Sequence, residues 1–182
     1  MIALANLHSA IFTRIEAFAP VLIPTLARVV FAGTLFVYYW NSALTKFGDG
    51  AAGLLQPSAG AYIQIFPKAV EAAGYDVSQL SALHTLIVIA GTWAEVLLPI
   101  LIVVGLLTRL AALGMIGFVI VQSIVDITGH GLGAADIGAW FDGLPSALIL
   151  DQRAFWLFLL LVLVLRGAGP LSLDRLLSRS AT

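Results

Sequence analysis

Four apolar segments dominate the sequence, and three of them reach the roughly 20 residues that a transmembrane helix needs. They lie at residues 20–44, 82–107, 108–128 and 153–166. The last is short, and we expect Arg153 and Arg166 to extend from its ends toward the membrane surface. Charged residues make up 10% of the 182-residue chain, against about 25% in soluble domains. The sequence therefore predicts an all-α, integral membrane four-helix bundle.

The segments outside the spans predict short helices at the membrane interface. Residues 1–19 place apolar side chains at the spacing of an amphipathic helix on the membrane surface: Ile2, Leu4, Leu7, Ile11, Ile15 and Phe18. Residues 61–73 predict a second interfacial helix, and Ile137, Trp140, Phe141 and Leu144 predict a third. We therefore divide the chain into an interfacial N-terminal segment (1–19), a membrane domain (20–168) and a C-terminal tail (169–182).

The distribution of charge predicts an orientation. Four spans place both termini on one side, together with Arg14, Arg109, Arg166, Arg175 and Arg179. The opposite side carries more acidic than basic residues. Because Lys and Arg are enriched in cytoplasmic loops, we expect both termini in the cytoplasm.

Composition also excludes several functions. The chain has no cysteine, so disulfides, thiolate metal sites, iron–sulfur clusters and CxxC redox chemistry are excluded for this chain alone. Its net charge is −1, without a basic tract, so we expect no nucleic-acid partner. We predict no metal site and no intrinsic cofactor, although haem held between His84 and His130 is conceivable.

One carboxylate, Glu95, lies well inside the second span. A charge at such a depth costs about 2.5–3.5 kcal/mol on insertion scales unless it is compensated. At 1.5 Å per residue, Arg28 and Glu95 lie about 10 and 15 Å from the same surface. We therefore predict an Arg28–Glu95 ion pair, which either belongs to a functional site or fixes the order of the helices.

Polar residues recur along one face of each of the first three spans, whereas the fourth has none between residues 154 and 165. Lipid penalises such faces unless they meet inside a bundle. The candidate ligand-binding residues of this intramembrane polar site are Arg28, Tyr39, Lys46, Trp93, Glu95, Gln122 and Asp126. A wetter cluster at the outer end comprises Asn41, His84 and His130. We expect the fourth span to pack as an apolar support, or against another membrane subunit or a second copy.

Three stretches of the sequence resemble the DoxX family of small bacterial membrane proteins: "ARVVFAGTLFVYYWNSALTKFGD", "AEVLLPILIVVGLLTRLAAL" and "GAGPLSLDRLL". With the four spans, the resemblance extends over most of residues 20–177. It implies a location in the bacterial inner membrane. Members include proteins similar to the small membrane subunit of archaeal thiosulfate:quinone oxidoreductase, and others associated with partner-dependent redox complexes. The resemblance supplies no catalytic residues and carries over Arg28, Lys46 and Glu95 only as an intramembrane polar site.

Three functions remain open at this stage. The first is an accessory subunit of a membrane redox complex, which binds quinone or lipid and is not an enzyme alone. Arg28 or Lys46 would donate a hydrogen bond to a ligand carbonyl, and Glu95 or Asp126 would exchange protons with the ligand. The second is a small proton-coupled carrier, although no inverted repeat is evident. The third is an architectural scaffold in which the polar residues only hold helices together.

Overall fold

The computed structural model describes residues 1–180, and within that part of the chain it is helical without strands. Four helices there are long and apolar enough to cross a membrane: Leu4–Leu44, Ala82–Val104, Thr108–Gly129 and Leu148–Arg166. The predicted all-α membrane bundle is therefore confirmed. Ala181 and Thr182, at the end of the predicted tail, lie outside the described residues.

The helices are numbered along the chain. Helix α1 comprises Ile2–Phe31, a π-helical turn Ala32–Phe36 and Val37–Leu44. The short helices α2 (Ala59–Ile65) and α3 (Pro67–Ala72) precede α4 (Ala82–Val104). Helix α5 comprises Thr108–Ile124 and the π-helical Val125–Gly129, and α6 is Ala134–Ile137. Helix α7 comprises the π-helical Leu148–Arg153 and Ala154–Arg166, and α8 is Leu173–Ser180.

Helix α1 is longer than predicted. It begins at Ile2 and continues without a break through Pro20 and Pro24, so the helix that contains the first span begins before residue 20. Apolar side chains near its N-terminus, such as Leu4 and Phe18, are exposed beyond the bundle. The location of residues 1–19 at the membrane surface, and the division of the chain after residues 19 and 168, stay predictions.

The four long helices pack around one apolar core. Helix α1 contacts α4 and α7, and α5 lies against both of these from the other side. Helix α1 buries a residue at every fourth position: Ala27, Phe31, Leu35, Tyr39 and Ala43. Because four residues turn by about 400° around a regular α-helix, each residue of such a row lies about 40° further around the helix than the one before it. The wider π turn at Ala32–Phe36 offsets part of this drift and keeps the row toward the core.

The fourth span is also longer than predicted. It begins at Leu148 and comprises 19 residues, because the polar residues before Ala154 are helical too. Its lipid-facing surface is apolar, and Phe155, Phe158 and Leu165 are exposed.

The interfacial predictions are only partly correct. Residues 61–73 form two short helices, α2 and α3, with a break before Pro67. The helix predicted around Trp140 and Phe141 is wrong beyond Ile137. Gly138 and Phe141 have φ of 77° and 68°, values that a right-handed helix cannot accommodate.

The turn between α4 and α5 marks what we call the hairpin end of the bundle; the opposite end, at Lys46 and His130, is the loop end. At the hairpin end, Asp174 caps α5. Its two carboxylate oxygens accept the backbone N–H groups of Leu107 at 2.7 Å and Thr108 at 3.0 Å. Its own N–H donates to the carbonyl of Gly105. The chain after α7 is thereby attached to the hairpin.

Candidate intramembrane binding site

A cavity of about 700 Å³ lies in the loop-end half of the bundle, between α1, α4, α5 and α7. Residues of the loop regions, such as Ile65 and Leu132, line its outer part. Apolar side chains and glycines form most of its wall. The polar residues that line it are Tyr38, Ser42, Lys46, Gln64, Glu95, Gln122, Asp126, His130 and Arg153.

The first charged pair in the cavity joins Lys46 to Glu95. The Lys46 Nζ lies 2.9 Å from the Glu95 Oε2, and the side chains are only 4% and 6% exposed. Lys46 Nζ also donates to the Ser42 hydroxyl at 2.7 Å and to the Ser42 carbonyl at 3.3 Å. Three oxygens therefore surround the ammonium group, which compensates the loss of its hydration.

The predicted Arg28–Glu95 ion pair is therefore wrong. Side chains on a helix lean toward its N-terminus, and the N-terminal part of α1 lies at the hairpin end. Arg28 accordingly leans away from Glu95, whereas Lys46, in the turn just after α1, extends back into the bundle and reaches it. The predicted pair was based only on the depth of the two residues in the membrane and not on the direction in which their side chains leave the helix.

Arg28 instead binds backbone carbonyls at the hairpin end. Its Nε donates to Ile102 at 3.0 Å and its Nη2 to Val103 at 2.6 Å, both in the last turn of α4. Its Nη1 donates to Ala168 and Leu171 in the segment after α7. The Ile102 and Val103 carbonyls are among the last four of α4, which have no partner in the next turn of the helix, so the structure assigns Arg28 to helix termination and not to the cavity.

The second charged pair in the cavity joins Arg153 to Asp126. The other terminal nitrogen of Arg153 donates to the Ser123 hydroxyl at 3.0 Å, and its guanidinium lies 6.0 Å from the ring centroid of Trp156. Arg153 is only 2% exposed, so the expectation that it extends to the membrane surface is wrong. Because its charge is balanced inside the bundle, the helix can begin before it.

An amide connects two tyrosines at the cavity wall. The Tyr39 hydroxyl donates to Gln122 Oε1 at 3.3 Å, and Gln122 Nε2 donates to the Tyr38 hydroxyl oxygen at 3.0 Å. Tyr39 is fully buried behind the wall, whereas Tyr38 lines the cavity. The phenolic proton of Tyr38 has no acceptor among the hydrogen bonds of the described residues, so it can be donated to a ligand.

Several predicted site residues lie elsewhere. Trp93 packs against Phe47 and donates to the carbonyl of Leu54, and Asn41 is exposed outside the cavity wall. The predicted outer cluster is not formed. His84 contacts Ser81 and Phe66, whereas the Nε2 of His130 contacts the carbonyl of Gln64.

The structure thus brings together Lys46, Glu95, Gln122, Asp126 and His130 from the predicted set. Sequence reasoning missed Tyr38, Ser42, Gln64 and Arg153 as wall residues. A signal for two of these existed, since Tyr38, Ser42 and Lys46 recur at every fourth position, as do Gln122, Asp126 and His130. Among the described residues, no group of three or more His, Asp or Glu side chains could hold a metal ion.

The charges of the cavity wall cancel. Lys46 and Arg153 supply two cations, and Glu95 and Asp126 supply two carboxylates that bind them directly. A phosphate or carboxylate ligand would have to displace one of these carboxylates. The wall therefore favours a neutral polar group that accepts and donates hydrogen bonds.

Four spans around a cavity that holds two ion pairs define a polytopic α-helical membrane protein. The sequence model of the DoxX family matches residues 23–131, which is more than half of the chain and includes both carboxylates of the cavity. The chain therefore belongs to the DoxX family. No curated protein and no solved structure matches it.

Proposed function

We propose that this DoxX protein binds a quinone in the intramembrane cavity and acts as an accessory subunit of a membrane redox complex. The observation that carries the proposal is the charge-balanced wall of a cavity of about 700 Å³ inside an apolar bundle. A quinone head group is neutral and offers carbonyl oxygens as acceptors. The volume lies within the roughly 300–1,000 Å³ typical of small-molecule sites.

The donor available to a quinone carbonyl is the Tyr38 hydroxyl on the cavity wall. The Lys46 ammonium group lies on the same wall, but its three N–H groups already donate to Glu95 and Ser42. Phe118, Leu98 and the glycines of α4 and α5 supply apolar wall around them. Glu95 and Asp126 lie where they could exchange protons with a bound head group. Because the chain lacks cysteine-based redox groups, the electrons for quinone reduction or oxidation would come from a partner subunit.

Native mass spectrometry of the protein, extracted from its own membranes in mild detergent, tests this function. We expect a retained mass of quinone size and a stoichiometric partner subunit. Binding of added quinone should weaken in Tyr38→Phe, which removes only the phenolic hydroxyl, and remain unchanged in Tyr75→Phe, whose ring is exposed in a loop. Extraction with ordinary phospholipid alone, together with no binding of added quinone, would refute the quinone proposal and leave the scaffold or the carrier.

We also propose that the protein lies in the bacterial inner membrane with both termini in the cytoplasm, as the arginines at the hairpin end favour. Because the chain has no cysteine, single cysteines report topology directly. In intact cells, a membrane-impermeant maleimide should label Ala139→Cys, and should label Ser178→Cys only after permeabilisation. The opposite labelling pattern would reverse the orientation.

A further inference from the structure

Besides its loop end, where Gln64 and His130 are exposed, the cavity is open between α4 and α5. Residues of both helices that line the cavity are also exposed: Ile87, Ala90, Gly114, Gly117 and Val121. All five lie within membrane-spanning helices. An opening at these positions therefore faces the hydrocarbon of the bilayer and not water. We call it the α4–α5 slot.

Small residues keep the slot open. A Cβ atom added at Gly117 would meet no atom within 4 Å. Closer to the hairpin end the two helices approach, since a Cβ atom at Gly114 would lie 3.1 Å from the Cδ2 of Leu98. The slot is thus closed toward the hairpin end and open beside the two ion pairs.

We propose that the quinone enters from the bilayer through the α4–α5 slot and leaves its apolar tail there, with its head group between the two ion pairs. This inference rests on the proposed function. The slot is continuous with the polar part of one cavity, so a single amphiphile can occupy both. A tail that lies in the slot covers the exposed apolar wall. One side of the tail stays in contact with lipid, so the tail does not have to leave the bilayer completely.

The two open glycines in membrane helices offer a matched pair of variants. Gly117 lines the slot, whereas Gly33 is an exposed helical glycine of α1 outside the cavity. Neither added Cβ atom meets a neighbour within 4 Å, so Gly117→Leu and Gly33→Leu should both fold. Only Gly117→Leu narrows the slot.

The test measures binding of two probes to protein in lipid nanodiscs, a benzoquinone without a tail and the same head group with a decyl tail. Partitioning of the tailed probe into lipid is common to all variants and cancels between them. We expect Gly117→Leu to reduce the preference for the tailed probe by at least about tenfold, because the added side chain occupies the space of the tail. Gly33→Leu should keep the wild-type preference, and Val121→Trp, which narrows the slot at another position, should behave like Gly117→Leu.

The outcomes separate the two proposals. If the wild type binds the probes but Gly117→Leu and Val121→Trp retain the wild-type preference, the slot is not the tail site, and the proposed function remains. If the wild type binds neither probe, the proposed function fails and the inference with it.

Discussion

The Lys46–Glu95 ion pair offers the sharpest test of the structure. In Glu95→Gln the Lys46 ammonium group loses its counter-charge and keeps only neutral acceptors, the Ser42 oxygens and an amide oxygen, in a site where the side chain is 4% exposed. Removing one partner of a buried pair costs about 3–5 kcal/mol. Lys46→Met, which strands the carboxylate, should destabilise by a similar amount.

The double variant Lys46→Met/Glu95→Gln removes both charges and should recover most of the loss, because replacing both partners of a buried pair is often neutral. We expect a coupling free energy of at least about 2 kcal/mol between the two positions. The measurement is the free energy of unfolding in mixed micelles as denaturing detergent is added, followed by the fluorescence of the four tryptophans.

The control is the combination of Arg28→Gln with Glu95→Gln. Among the described residues, the hydrogen bonds of Arg28 go to backbone carbonyls at the hairpin end, and none of these carbonyls binds Glu95. The two effects should therefore add within about 0.5 kcal/mol. A larger coupling free energy of Glu95 with Arg28 than with Lys46 would refute the Lys46–Glu95 pair and support the Arg28–Glu95 pair that depth in the membrane predicts.

Three further predictions concern stability. Asp174→Ala should lower the free energy of unfolding by about 1–2 kcal/mol in the same micelle assay, because it removes the cap of α5; an unchanged value would contradict that role. Gly105→Ala should destabilise by more than about 1 kcal/mol, since Gly105 has φ of 73° and the added Cβ would lie 2.6 Å from the Cβ of Ser172; Gly33→Ala, its control, should be neutral or stabilising. Hydrogen bonds from Ser78, and then from Gln79, hold the pKa of Asp76 below its usual range. Their stabilisation is present above the pKa of the unfolded chain and is lost as pH falls through the folded pKa; an NMR titration of Asp76 at or above the ordinary aspartate value would exclude it.

The spacing of polar residues along a helix predicts part of the cavity wall. Gln122 and Asp126, predicted for the intramembrane site, line the cavity, and so does His130, which was predicted for the outer cluster. From α1 into the turn after it, the same every-fourth spacing links Tyr38, Ser42 and Lys46, whereas the sequence prediction names the neighbouring Tyr39. Tyr39 belongs to the buried row of the apolar core, so one position along the helix separated the cavity wall from the core.

Arg153 illustrates a different difficulty. In the sequence it stands at the end of an apolar segment, the ordinary place for a residue that extends to the membrane surface. Its burial depends on Asp126 and Ser123 of another helix. No local pattern around Arg153 contains that information.

The sequence by itself determined the membrane environment, the all-α fold and the family, because the length of apolar segments and the scarcity of charge are properties of local composition. It also identified Glu95 as a charge that needs a partner. Only the tertiary structure decided that the partner is Lys46, that Arg28 terminates a helix, and that two ion pairs face one cavity. Partner choice depends on the direction in which side chains leave their helices and on which helices are neighbours, and neither is encoded in the spacing along one segment.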